Sequence, residues 1–331
     1  GASQPGGCVD QRLRPRSDSQ SSGPVGSGRS TLRLTLPPRT QPVELRGDRL
    51  LTESWRFRAM NDLSALTDGA IKTTGLAELR LSGSASLHSP AQMEEIKKAA
   101  GGRHVVVLDL REESHAIAGD HPVTWIAPED WGNVGKTTSQ VLADEKARIE
   151  ALRQQEVVSF ANYPDLKHGR DLHTTTLQRP AILDEKTLVE NAGCEYRRLP
   201  LTDHVRPSRD RTDELVDLLR SLEPDTWVHV HCKGGKGRTT STMVMIDMLH
   251  NAGRVSAEEI IARQAAMGGS DLTAMGVKRV EMNQDRLNFL LEFHAYAKEN
   301  PLGDPNAKSW SQWRLSPKAE AAQAAQASSS A

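Results

Sequence analysis

The stretch Val228 to Met243, VHVHCKGGKGRTTSTM, constrains this chain more than any other segment. An apolar, β-rich run from Trp227 to His231 delivers Cys232 into a glycine-rich loop that closes at Arg238, and a helix-favouring segment, 241–250, follows. Strand, anion loop and helix in that order are the unit of an α/β protein. Gly234, Gly235 and Gly237 tolerate positive φ and leave the backbone bare, so successive N–H groups can turn inward as a nest for a tetrahedral oxyanion. The helix that follows presents its positive end at the same point. Arg238 offers a planar fork for two phosphoryl oxygens at once. That field favours Cys232 as the thiolate, the nucleophilic form. Thr239 and Thr240 can donate a hydroxyl to the sulfur and improve it as a leaving group. A buried cysteine beside an ordinary glycine turn would require none of this agreement.

A chain of 331 residues with 37% hydrophobic content can bury a sizeable core in one large domain or two small ones. A formal net charge of -1 excludes whole-chain attraction to nucleic acid or an anionic membrane, so any basic character is local. No run approaches roughly 18 apolar residues, and no membrane-spanning helix is expected. The three cysteines, Cys8, Cys194 and Cys232, do not form a disulfide framework, and no Cys/His spacing suggests zinc; no metal or other cofactor is expected.

Residues 1–40, rich in Gly, Ser, Pro, Arg and Gln, read as a flexible tail, and 316–331 as a second one whose alanines could also form a fraying helix. Between them helices and strands alternate. Ser89-Pro90 opens a helix over 91–100 that stops at Gly101-Gly102, and HVVVLDL over 104–110 is a buried strand. Further helices are expected over 139–155, 183–191, 212–222, 256–266 and 285–300, with a strand over 195–200. Short strands fit 43–58, whereas 114–136 and 157–176 read as irregular. Within the former, Asp130 to Thr137 ends in Gly-Lys-Thr like a nucleotide loop, but Asp130 stands where that loop needs its first glycine and no apolar strand leads into it. The alternation implies a mostly parallel sheet flanked by helices, whose ligands bind beyond the strands' carboxyl ends, where Cys232 and Asp203 fall.

A thiolate attacking phosphorus must expel an alkoxide, which needs a proton in the transition state. Asp203, after the strand at 195–200, is the candidate donor and later the base on water; as a bare residue type it serves equally well to cap a turn.

TDHVRP at 202–207 and the 227–249 stretch, together with LDLREESH at 108–115, PVTW at 122–125, DWGNVGKT at 130–137 and LADE at 142–145, resemble the bacterial protein-tyrosine-phosphatase-like (cysteine) phytases from about Phe57 to Trp313. The resemblance implies a cysteine-phosphatase fold over 41–315 with a small partial β-barrel subdomain drawn from 41–60 and about 115–180. It implies stepwise, metal-free hydrolysis of myo-inositol hexakisphosphate, with Asp203 as general acid. Arg58 follows as a substrate-phosphate ligand, and Lys167, Lys278 and Arg279 as more loosely matched ones that serve equally well as solvated surface cations. His204 either touches substrate or orients its loop. Lys233 and Lys236 depart from the common pattern and read as extra cations for a substrate with several phosphates. A basic cup of Lys233, Lys236, Arg238, Arg58, Lys167 and Arg206 suits such a ligand on electrostatic grounds alone. Other readings of the same loop are a dual-specificity or inositol-lipid phosphatase and a non-catalytic inositol-polyphosphate binding module. The expected partner is a small molecule, with no nucleic acid or membrane, in a monomer or homodimer; family habit points to a secreted or periplasmic location.

Overall fold

The computed structural model describes residues 41–50 and 55–329. The expected tail over 1–40 lies outside them. In chain order the strands are β1 (Glu44–Gly47), β2 (Arg58–Ala59), β3 (Leu81–Ser84), β4 (Val105–Arg111), β5 (His115–Ala118), β6 (His121–Ile126), β7 (Val157–Asn162), β8 (Thr174–Gln178), β9 (Ile182–Leu183), β10 (Glu195–Leu201) and β11 (Trp227–His231). The helices are α1 (Pro90–Ala100), α2 (Thr138–Arg153), α3 (Tyr163–Lys167), α4 (Glu185–Asn191), α5 (Arg209–Ser221), α6 (Gly237–Asn251), α7 (Ala257–Ala266), α8 (Val280–Glu299), α9 (Trp310–Arg314) and α10 (Pro317–Ser329).

The central sheet runs β10-β4-β11-β3-β2, parallel except for the antiparallel β2 edge. Every residue of β4, VVVLDLR, is buried, as a parallel strand covered on both faces requires. In β11 the side chains alternate: Val228 and Val230 join the large core formed with α5, α6 and α8, while Trp227 joins the smaller core with Met93 and Ile96 of α1. Helix α6 is buried on almost every side, so its sequence shows no amphipathic stripe. Its one acid, Asp247, is fully buried and is matched by Arg263 of α7, whose Nε donates to Oδ2 at 2.8 Å, with Gln264 and Asn251 adding donors at 2.9 Å each.

The second sheet runs β8-β7-β1-β6-β5-β9 and occupies both stretches expected to be irregular. Residues 115–126 form a hairpin in which Ala118 pairs with His121 around Gly119 at φ 65. Residues 157–178 form the antiparallel pair of β7 and β8. Their polarity hid them: β8 is TTTLQ, a half-exposed edge strand whose threonines favour the pleat without looking apolar. Its strands come from 44–47 and 115–183.

The other tail, expected to be flexible over 316–331, contains α10. It packs on α8 and α9, with Ala319 buried and Gln323 Nε2 donating to Glu292 Oε1 at 2.8 Å. Alanine combines high helix propensity with a side chain small enough for close packing, which outweighs the low complexity of the sequence. No helix among the described residues is long and apolar enough to cross a membrane.

Candidate active site

The carboxyl ends of β3, β4, β10 and β11 converge on Cys232, which is buried. Gly235 takes φ 66, and a Cβ there would lie 2.6 Å from the Ala85 nitrogen, so the turn needs glycine for both its conformation and its close approach to β3. Among the described residues no backbone N–H from Lys233 to Gly237 donates a hydrogen bond, which leaves the loop free to receive an anion at the start of α6. Thr239 Oγ1 donates to Cys232 Sγ at 3.2 Å.

Arg238 is buried and gripped by Glu113 at 2.7 and 3.0 Å, one carboxylate oxygen to each terminal nitrogen. Glu113 also accepts from Arg111 Nε at 3.0 Å. Burial opposes the charge on Glu113, but Arg238 and Arg111 outweigh it and hold the carboxyl well below its ordinary value. Burial likewise opposes the Arg238 cation, while Asp203 and Glu113 push its pKa well above the usual range. Arg238 Nε lies 3.2 Å from Asp203 Oδ1 without hydrogen-bond geometry, so that contact is ionic. The Cys232 sulfur, the Arg238 guanidinium and the Asp203 carboxylate are therefore brought together from the end of β11, α6 and the loop after β10.

The residues of the expected basic cup are divided. Lys233 turns into the fold: its Nζ sits 3.6 Å from both Asp48 and Asp130 and 4.2 Å from the Tyr163 ring centre. Burial opposes its charge, but Asp48 and Asp130 more than compensate and raise its pKa. Burial in turn pushes Asp130 up to about 6 despite Lys233. Arg58 is a brace for the loop, donating from Nη1 to the Gly235 carbonyl at 3.2 Å and from Nη2 to Thr240 Oγ1 at 3.2 Å; burial draws it down to about 10, with the nearby Cys232 opposing. Lys236 is exposed, and burial of its stem together with Arg56 and Lys167 lowers its pKa, so these three cations share one rim of the loop. Lys278 is exposed just before α8, Arg279 is committed to Glu129 at 2.9 Å, and Arg206 to Asp285 at 3.0 Å. His204, at φ 69, has Nε2 between Glu129 at 3.3 Å and Asp203 at 3.5 Å; burial lowers its pKa against the pull of Asp203.

The residue that sequence reasoning missed is Arg286 of α8. It is buried with its Nη1 3.0 Å from where a Cβ on Gly237 would stand, and no hydrogen bond or ion pair among the described residues engages it. Burial lowers its pKa, opposed by Asp203 and Cys232, which places its charge beside the reacting groups. No spacing in the sequence marked it: Arg279, seven residues earlier, caps α8 at φ 56 and lies outside the helix.

The Gly-Lys-Thr resembling a nucleotide loop serves a helix end. Thr137 caps α2, its side chain accepting from the Gln140 N–H at 3.2 Å, and Lys136 pairs with Asp144 at 3.2 Å. Behind the loop, Asp109, His115 and Glu185 bring ligand-type atoms within 4.8 Å of one another. Their bonds are already assigned: Asp109 accepts from the Tyr196 hydroxyl at 2.8 Å, and Glu185 bridges His231 at 2.5 Å and His115 at 3.1 Å. Arg198 and His115 supply counter-charge. Burial and Arg111 work against the His115 cation, but Glu145 and Asp109 raise its pKa to about 10. Cys194, at the amino-terminal edge of the sheet, and Cys232, at its carboxyl edge, are both free.

Residues 108–250 match the family model of the PTP-like phytases, described as "Inositol hexakisphosphate". The effector protein hopD2 of Pseudomonas syringae pv. tomato is 42% identical over 265 residues, which cover 78% of this chain and 56% of that protein. The PTP-like myo-inositol phosphatase of Mitsuokella multacida, solved in complex with myo-inositol-(1,3,4,5)-tetrakisphosphate, superposes with a TM-score of 0.75 at 27% identity, over 85% of this chain and 50% of that one. The chain thus spans about half the length of these two relatives. A PTP-like phytase from Bdellovibrio bacteriovorus superposes with a TM-score of 0.68 at 32% identity, over 86% of this chain and 98% of that one. With residues 108–250 matching the family model and a 32% identical member matched over 98% of its length, the chain belongs to the PTP-like phytase family.

Proposed function

We propose that this protein is a phosphatase that removes phosphates from inositol polyphosphates, with myo-inositol hexakisphosphate as the class representative. One observation carries the reading: Arg238 lies beside both Cys232 and Asp203, whose charges favour its cation, with Asp203 Oδ1 3.2 Å from Arg238 Nε. In the first step the Cys232 thiolate forms an S–P bond as the P–O bond to the inositol ring breaks, and Asp203 delivers its proton to the departing alkoxide. Arg238 and the loop N–H groups hold the equatorial oxygens, where charge gathers in the transition state. In the second step Asp203 takes a proton from water, the water oxygen bonds to phosphorus, and the S–P bond breaks to release inorganic phosphate. The Thr239 hydroxyl, 3.2 Å from Sγ, stabilises the sulfur as it leaves. No cofactor enters either step.

Family membership supports the polyphosphate substrate, and so does the charge arrangement. Arg286 lies beside Cys232 and Asp203 without an ion pair among the described residues, and Lys236, its pKa lowered first by burial and then by Arg56 and Lys167, shares the loop's rim with those two cations, an arrangement an anion would relieve. The deciding experiment is a product-resolved assay of inositol hexakisphosphate, a phosphotyrosine peptide and a phosphoinositide with wild type and Cys232→Ser. The proposal expects preferential turnover of the hexakisphosphate, abolished in Cys232→Ser with binding retained. Equal binding without wild-type turnover would identify a binding module, and preference for the peptide or the lipid would reassign the substrate.

A further inference from the structure

The segment 129–133, between β6 and α2, contacts two successive residues of the acid loop directly and a third through Glu112. Glu129 Oε2 lies 3.3 Å from His204 Nε2, and the Trp131 indole N–H donates to the Asp203 backbone carbonyl at 2.9 Å. Asn133 Nδ2 donates to the Glu112 carbonyl at 2.9 Å, and the Glu112 carboxylate accepts from Thr202 Oγ1 at 3.0 Å. Positions 129 and 131 thus read against 204 and 203 in reverse order, while Asn133 reaches 202 only through Glu112. The same segment's Asp130 reaches Lys233 of the anion loop, so both loops are referenced to one stretch of chain.

The backbone there is strained on both sides of the contact. Glu129 (φ 58), Asp130 (φ 61) and His204 (φ 69) are all left-handed and none is glycine. Each such residue costs roughly 1–2 kcal/mol and persists only where its surroundings over-determine it. Two in succession, the first against the third and the third against Asp203, indicate a conformation held for a purpose.

We propose that residues 129–133 are a positioning clamp that registers Asp203 against Cys232, with the Trp131 indole N–H as its principal contact. The proposal rests on Asp203 as proton donor. Proton transfer needs its heavy atoms within about 3.2 Å, and a misplacement of about 1 Å can cost about a hundredfold. Trp131 holds the peptide carbonyl from which the carboxylate is carried, so it acts through Asp203 and touches no substrate.

The test uses the full chain and kcat/KM across aryl phosphates from phenyl to para-nitrophenyl, whose leaving groups depend on a proton to decreasing degrees. This series does not require the inositol reading to hold. Trp131→Phe keeps the ring and removes the donor. It should lose about tenfold on phenyl phosphate and less than about twofold on the para-nitrophenyl ester, the same steepening that Asp203→Asn gives. In the Asp203→Asn background it should cost no more than about twofold on any ester. An equal loss across the series, no loss, or a loss that multiplies with that of Asp203→Asn overturns the clamp. Glu129→Gln, at a half-exposed carboxylate, covers the case in which Trp131→Phe does not fold: it should steepen the series through His204, and a flat effect again overturns the proposal. If Asp203→Asn itself leaves the series unchanged, the proton-donor assignment falls and the clamp with it. If Asp203→Asn steepens the series and the clamp variants do not, only the clamp falls.

Discussion

Glu112 makes the stability of this fold depend on pH in a direction opposite to that of most carboxylates. Its side chain is buried beside Arg238 and Glu113 and accepts from Thr202 Oγ1 at 3.2 and 3.0 Å. Burial raises its pKa from 4.5 to about 7, with the Thr202 hydrogen bond and Arg238 opposing. A carboxyl whose folded value is raised favours the protonated fold: its contribution is fully present below pH 4.5 and is lost as pH rises through about 7. A rise from 4.5 to about 7 corresponds to about 3 kcal/mol at 1.36 kcal/mol per pH unit. Glu112→Gln keeps an acceptor for Thr202 and imitates the protonated acid. In urea unfolding from about pH 4.5 to about 8, the variant should match wild type at the acid end. It should then become progressively more stable, by about 3 kcal/mol at the alkaline end. Taking the difference between the two proteins at each pH removes the titration of groups they share. A gap that stays constant, or that widens toward acid, would refute the burial argument.

Arg263→Ala leaves Asp247 charged in the core with only amide donors; urea unfolding should show a loss of about 3–5 kcal/mol, and a loss below about 1 would mean that water reaches the site. Gly235→Ala forces a Cβ to 2.6 Å from the Ala85 nitrogen at φ 66, so a destabilisation of about 2 kcal/mol or more is expected together with loss of turnover. Arg286→Ala should raise KM for inositol hexakisphosphate about tenfold, one charged hydrogen bond's worth, and flatten its rise with added salt. An unchanged KM and salt slope would remove Arg286 from the substrate site.

What could be read from the chain without coordinates follows the range of the interactions involved. The strand, loop and helix around Cys232 are contiguous, and their glycines and cap positions report local backbone needs. The helix starting at Pro90 was legible for the same reason, since Ser89 and Gln92 form a reciprocal cap within four residues. Lys233 is the counter-example. Its spacing beside Lys236 suggested a cation facing the substrate, whereas Asp48 and Asp130, which come from elsewhere in the sequence, draw it inward. A sequence window cannot show a partner that only the fold supplies. Arg58 was found as a residue, but its orientation toward Gly235 and Thr240 depends on β2 lying at the sheet edge. The second sheet was expected over 41–60 and about 115–180 only through the family resemblance; residue patterns alone missed it because its edge strand is polar and pattern reading recognises burial rather than pairing.

The buried ion cluster behind the anion loop has a consequence for how the molecule comes apart. Asp109, Arg198 and His231 belong to the central sheet, His115 to the second sheet, and Glu185 to the first turn of α4, yet they form one closed set of ion pairs and hydrogen bonds. Separating the sheets would strand carboxylates and cations of opposite sign on different pieces, at a cost of about 3–5 kcal/mol for each partner removed. The two sheets are therefore bound to melt together, and the amides of β5 and β11 should exchange with solvent through the same global opening. Any hairpin change that loosens His115 would be felt through Glu185 at His231, one residue from Cys232.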